Sequence, residues 1–182
     1  MTTEAKKALR RAVGARRAEA YATVDQAPAL ERLRALLADT VGPVSFYWPI
    51  RTEIDPRPVM AELADIRQVC LPLTHGRAAL TFLHWFPQAP MTVDGFGVAV
   101  PDGTEPVVPR TLVVPMLAFD GNGHRLGYGA GHYDRTLAGL RAKDQITAIG
   151  FAFSAQEVAP LPIEATDQPL DAIVTEKDVL RF

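Results

Sequence analysis

The sequence has one cysteine, two tryptophans and no apolar run of the about 18 residues a membrane helix needs. A single cysteine excludes an internal disulfide framework and fits a reducing compartment. Cys70 sits in the apolar run Val69-Cys70-Leu71 and reads as core, not as a reactive thiol. His75, His84 and His124 show no ligand spacing with one another or with Cys70, so no zinc site is expected. No charge of one sign dominates: 19 Lys and Arg stand against 21 Asp and Glu, net −2, which argues against bulk nucleic-acid binding. The charged N-terminus lacks an apolar core of its own, so a secretory signal is not expected and the cytoplasm is the default. Internal repeats and low-complexity tracts are absent as well.

What remains is an ordinary globular composition. A chain of 182 residues, 48% of them hydrophobic, is expected to form a single domain over 1–182 that buries roughly 70% of its unfolded surface. Residues 3–20 predict a helix, with Thr3 as cap, Glu4 in the first turn and alanines filling it. This segment carries six cations against two anions. Lys6, Arg10 and Arg17 recur near one stripe, and Leu9 and Val13 lie on the next, placed to dock the helix on the body. Residues 28–39 predict a second amphipathic helix and 59–66 a short third. Strands are predicted at 44–48, 67–73, 79–86, 111–114, 146–153 and 170–176, the last as the closing strand. Pro115 is expected to end the strand at 111–114 or push it to an edge. Residues 87–110 hold five prolines and read as an irregular excursion. The two turn pairs Asp120-Gly121 and Asn122-Gly123 predict a hairpin, and 132–143 a further helix. Strands alternating with helices and loops imply α/β class: a three-layer α/β/α, Rossmann-like fold with a mostly parallel sheet. In such folds ligands sit beyond the carboxyl ends of the strands.

The chemistry concentrates in RLGYGAGHYDRTL, residues 125–137. Gly127, Gly129 and Gly131 leave one backbone segment nearly bare just before a helix. There, N–H groups can meet an anion. The spacing is neither a dinucleotide fingerprint nor a Walker A loop, and read alone it also serves a tight turn. Asp134 falls in the first helical turn, where it can cap the helix or hold Mg²⁺ beside phosphates. Arg125 and Arg135 flank the run, and the loop has no lysine of its own. The basic N-terminal helix can supply further charge through Lys6 and Arg10. These features leave open an enzyme that binds ATP, an isomerase or CoA-transferase-like protein that binds phosphate without ATP, and a non-catalytic nucleotide-binding module.

Residues 112–137, LVVPMLAFDGNGHRLGYGAGHYDRTL, resemble the signature of the 5-formyltetrahydrofolate cyclo-ligase (5,10-methenyltetrahydrofolate synthetase) family. That signature is a Val-Pro-x-x-Ala-Phe-Asp segment followed by Arg-Leu-Gly-x-Gly-x-Gly-Tyr-Tyr-Asp. Lys6-x-x-Leu9-Arg10, Tyr47-Trp48-Pro49 with Glu53, and Leu170-Asp171 through Thr175-Glu176 resemble further family segments. Four positions depart from the pattern: His132 replaces a tyrosine, Ala130 fills a variable position, Leu73 replaces an arginine and Val100 a glutamate. The resemblance implies cyclisation of 5-formyltetrahydrofolate with ATP and Mg²⁺, giving 5,10-methenyltetrahydrofolate, ADP and phosphate. It implies that Lys6, Lys7, Ala8, Leu9 and Arg10 meet ATP from the helix. Arg125, Leu126, Gly127, Tyr128, Gly129, Ala130, Gly131, His132 and Tyr133 would meet it from the loop. Arg125, Lys6 and Arg10 would carry catalytic charge. The folate would lie against Trp48 and Glu53 and against Tyr128, Gly129, Ala130, Gly131 and His132. Asp134 and Asp171 would hold the metal. A polyglutamate tail on the substrate would find Arg51 and Arg57. No nucleic-acid or membrane partner is expected, and a monomer is expected with a dimer as the alternative.

Overall fold

A computed structural model describes residues 3–182, with side chains described from Lys7 onward. The polypeptide winds a seven-stranded sheet with helices around it. Two helices lead, α1 (Thr3–Thr23) and α2 (Ala27–Ala38), followed by β1 (Val44–Ser45), α3 (Arg57–Ala64), β2 (Val69–Leu73) and β3 (Thr81–Trp85). Next come the paired β4 (Met91–Val93) and β5 (Ala99–Pro101), then β6 (Thr111–Val114) and the paired β7 (Ala118–Phe119) and β8 (Arg125–Leu126). The chain ends with α4 (His132–Arg141), β9 (Thr147–Phe151), a 3₁₀ turn (Ser154–Gln156), β10 (Ala172–Val174) and β11 (Val179–Arg181).

In the main sheet the order is β11-β10-β9-β6-β1-β2-β3. Its five inner strands are parallel, and β3 and β11 close the two edges antiparallel. This is the expected α/β class. Both faces of the sheet are covered, so the inner strands read as unbroken apolar runs: all four residues of β6 are buried. Val113 and Ile149 are fully buried in one core cluster, Leu112 and Ile173 in the other. Each such side chain contributes about 1.5–3 kcal/mol by leaving water. Val13 is buried and Leu9 half-buried, so α1 docks by the stripe its sequence marks. Burial also pushes the Cys70 thiol up, as a core cysteine requires.

Three expectations change. Only Val44–Ser45 of the 44–48 strand pairs as a ladder; Phe46 still donates to Cys70, after which the chain leaves the sheet toward the cleft. Residues 87–110 contain the β4–β5 hairpin, whose turn Asp94 organises by accepting from the Phe96 and Val98 amides. Pro115 ends β6 as expected, and the strand keeps its place at the sheet centre. The closing strand is β11, which pairs back on β10. The β7–β8 hairpin forms where the turn pairs predict it.

Strand order reverses between β1 and β6, where β2 lies to one side and β9 to the other. That switch point leaves a crevice at the carboxyl ends of the strands. One wall of the crevice, the loop at 161–168, hangs on Asp120. This carboxylate is fully buried and accepts from the amides of Asn122, His124 and Leu161 and from the His124 ring. Burial raises its pKa, but those donors outweigh burial and hold it below the usual value. A depressed folded pKa means stability that is present above the unfolded value and lost as pH falls through the folded one. Asp120→Asn is therefore expected to lower stability at pH 7 by about 1–3 kcal/mol and to flatten the decline below about pH 4. Urea unfolding of both proteins at pH 7 and pH 3 measures this; parallel declines would contradict it.

Candidate functional site

A cleft of about 1010 Å³ occupies the switch point. That is the upper end of the range for one small-molecule site, and it gives room for two ligands side by side. Its floor is formed where the parallel strands end, at Pro72 and Pro115, with Tyr47 and Trp48 beyond β1. The glycine loop forms one wall and the 161–168 loop another.

The glycine loop is built to show its N–H groups. Gly131 sits at φ 68° as the residue before α4, and no side chain caps that helix. Gly129 is at φ 98°. Two guanidinium groups take the loop's carbonyls: Arg10 Nε donates to Gly127 O (3.0 Å) and Arg135 Nη2 to Ala130 O (2.5 Å). Among the described residues, no protein acceptor takes the N–H groups of Gly127 through Gly131. A run of amides without a described acceptor and an uncapped helix start thus line a cleft rimmed by arginines, an arrangement suited to phosphate.

Charge around this loop is organised in pairs. The Arg125 side chain is 7% exposed; it donates to Asp134 Oδ1 (2.6 Å) and to the Gln168 carbonyl. Asp134 Oδ1 also accepts from the Gln168 amide (3.1 Å), which ties the helix start to the 161–168 wall. Burial pulls the Arg125 pKa down, against the attraction of Asp134. Arg77 lines the cleft as well.

Across the cleft, Glu53 is 5% exposed, far from a solvated loop glutamate. The turn before it is made by Arg51, the one non-glycine residue with positive φ (55°) among those described. Glu53 Oε2 accepts from the Ile50 amide (2.9 Å). Burial pushes its pKa up; the Ile50 amide, Arg17, Arg51 and Tyr128 pull it back. Trp48 both packs on the core and lines the cleft, with Arg57 over its ring at 5.1 Å. Arg57 is ion-paired to Asp55. Tyr128 is half-exposed over the cleft, and Tyr133 packs against the second core cluster. His132 Nδ1 lies 3.0 Å from the Ala78 carbonyl, and its ring meets Phe96 edge-on, so it is held by the protein.

The structure therefore brings Arg10, Arg125, Gly127 to Asp134, Trp48 and Glu53 to one cleft. Lys7 and Ala8 are exposed on α1, and the side chain of Lys6 lies outside the described residues. Asp171 is not brought there. It stands at the amino end of β10, opposite the cleft, where its Oδ2 accepts from Arg141 (2.9 Å) and from the Ala148 amide (2.7 Å). Among the described residues no group of three His, Cys, Asp or Glu side chains gathers to hold a metal. Arg17, buried between Glu53 and Tyr128, went unassigned although it lies on the Lys6–Arg10 stripe. The 161–168 wall has no periodicity to reveal it.

The model of the 5-formyltetrahydrofolate cyclo-ligase family matches residues 2–176. The chain is 35% identical over 144 residues to the 5-formyltetrahydrofolate cyclo-ligase of Escherichia coli, covering 75% of this chain and 79% of that one. It is 35% identical over 135 residues to the enzyme of that name from Haemophilus influenzae, covering 70% and 72%. The solution structure of Aquifex aeolicus 5,10-methenyltetrahydrofolate synthetase superposes with a TM-score of 0.75 at 30% identity, over 97% of this chain and 92% of that one. A Mycoplasma pneumoniae protein named as the same synthetase shares the fold (TM-score 0.74, 22% identity, over 94% and 98%).

A Cβ at Gly129 would sit 3.2 Å from Arg10 Nη2 on a backbone at φ 98°. Gly129→Ala is expected to cost about 1–3 kcal/mol of stability and to weaken binding of inorganic triphosphate. Thermal melts and calorimetric titration read the two effects; unchanged triphosphate binding would contradict the role given to the loop.

Proposed function

The chain belongs to the 5-formyltetrahydrofolate cyclo-ligase family, and we propose from that premise how its residues perform the family's reaction. The enzyme closes 5-formyltetrahydrofolate to 5,10-methenyltetrahydrofolate at the expense of ATP, which sets aside the isomerase and CoA-transferase alternatives. The observation that supports the residue assignment is that the run 127–131, whose amides have no acceptor among the described residues, lines one cleft with the buried Glu53.

The chemical problem is a formyl carbon attached to nitrogen, a poor electrophile whose oxygen is a poor leaving group. Transfer of the γ-phosphoryl group to the formyl oxygen forms a P–O bond and breaks the bond to ADP. N10 then attacks the formyl carbon and loses its proton, and the C–O bond breaks to release phosphate. Positioning and charge neutralisation suffice for both steps. The glycine-loop amides and the start of α4 cradle the phosphates. Arg10 and Arg125 hold their charge, joined by Lys6. Leu126 and Tyr133 shape the loop from either end. Glu53 accepts an N–H of the folate, and Trp48 and Tyr128 flank the ring system.

For Mg²⁺, Asp134 fits as a single carboxylate beside phosphates, because both of its described bonds fall on Oδ1. When bound there, the ion neutralises phosphate charge. Asp171 is no partner for it. A glutamate tail would pass Arg51, since Arg57 is already paired with Asp55. Near-ultraviolet absorbance of the methenyl product tests the function: it should grow only when 5-formyltetrahydrofolate, ATP and Mg²⁺ are all present. Asp134→Asn should lower turnover about 100-fold while the circular dichroism spectrum stays unchanged. Product formation without ATP would contradict the mechanism.

A further inference from the structure

Arg17 is 3% exposed and its guanidinium is only partly satisfied. Nε donates to Thr52 Oγ1 (3.2 Å) and Nη2 to the Tyr128 hydroxyl (2.9 Å). Nη1 is buried with no hydrogen-bond acceptor and lies 3.7 Å from Glu53 Oε1. Burying a guanidinium in this state is costly. The gap has a use. An Arg that bonded Glu53 directly would occupy the carboxylate's lone pairs. A cation just beyond bonding distance stabilises the negative charge and leaves Oε1 able to accept from a ligand. Thr52 precedes Glu53, and Tyr128 belongs to the glycine loop, so one side chain of α1 braces both walls. Two turns earlier on the same helix, Arg10 holds Gly127.

We propose that Arg17 is a positioning residue of the reaction: it keeps Glu53 an anion facing the folate and fixes the Glu53 loop to the glycine loop. The proposal rests on the folate-binding reading of Glu53. The groups facing Glu53 are Arg17 from α1, Arg51 and the Ile50 amide from its own loop, Tyr128 from the glycine loop, and Tyr47 and Tyr133 from behind. Arg17 is the one cation among them shut away from water, so its effect is the least screened. Removing it shifts Glu53 toward the protonated form, and an activity that needs the anion then begins at higher pH.

The test is carbon-13 NMR titration of carboxyl-labelled glutamates in the ligand-free protein, with Glu53 assigned by Glu53→Gln. Arg17→Gln, close in shape and uncharged, should move the Glu53 titration upward by about one pH unit or more. The acid limb of kcat/KM should move with it. Arg17→Lys restores the charge without the fork, so the Glu53 titration should lie within about half a unit of wild type while KM for the folate stays raised. An unmoved titration in folded Arg17→Gln protein overturns the proposal. So does an upward shift of a full unit in Arg17→Lys, an arm that stands even if the glutamine variant does not fold. A wild type that makes no methenyl product while the titrations shift as expected would sink the cyclo-ligase reading and leave the Arg17–Glu53 coupling in place.

Discussion

The cleft depends on arginine side chains holding a glycine-rich loop by its carbonyl oxygens. Arg10 binds Gly127 O and Arg135 binds Ala130 O, and with the acceptors so engaged the amides of Gly127 through Gly131 have no partner among the described residues. Backbone polar groups without partners are costly away from water, so such a row is stable only where solvent or an anion reaches it. The bare loop ends at the uncapped start of α4, whose partial positive charge adds to the same demand. Two of the three glycines serve this purpose directly: a side chain at Gly129 or Gly131 would meet Arg10 or Arg135.

Helix α1 makes the arrangement cooperative. Its arginines touch the glycine loop at Gly127 and Tyr128 and the opposite wall at Thr52 and Glu53. The sheet sets where these walls stand, because the strand order reverses between β1 and β6 and the chain leaves both strands toward the cleft. The volume has room for two ligands; on the proposed assignment, a phosphate donor would lie against the amides and a folate between Trp48, Tyr128 and Glu53.

Much of this was legible before any coordinates. The glycine run, its flanking arginines and Asp134 stand together in thirteen residues, and local spacing sufficed to place them. Glu53 came from the family resemblance alone, since a glutamate between Thr52 and Ile54 carries no local sign of burial. Asp171 shows the limit of that route: it begins a strand whose amino end points away from the cleft, where Arg141 takes its charge. Residues 87–110 looked irregular because five prolines mask a short hairpin. The 161–168 wall is held by long-range bonds to Asp120 and Asp134, which no local pattern encodes.

The central claim is that the loop brings the γ-phosphate onto the formyl oxygen. One turnover with 5-formyltetrahydrofolate carrying oxygen-18 in its formyl group, run with unlabelled ATP in ordinary water, tests it most directly. Mass analysis of the released phosphate should find the label there. Label recovered in water, with unlabelled phosphate, would mean that ATP is cleaved without phosphorylating the formyl group, and would contradict the account.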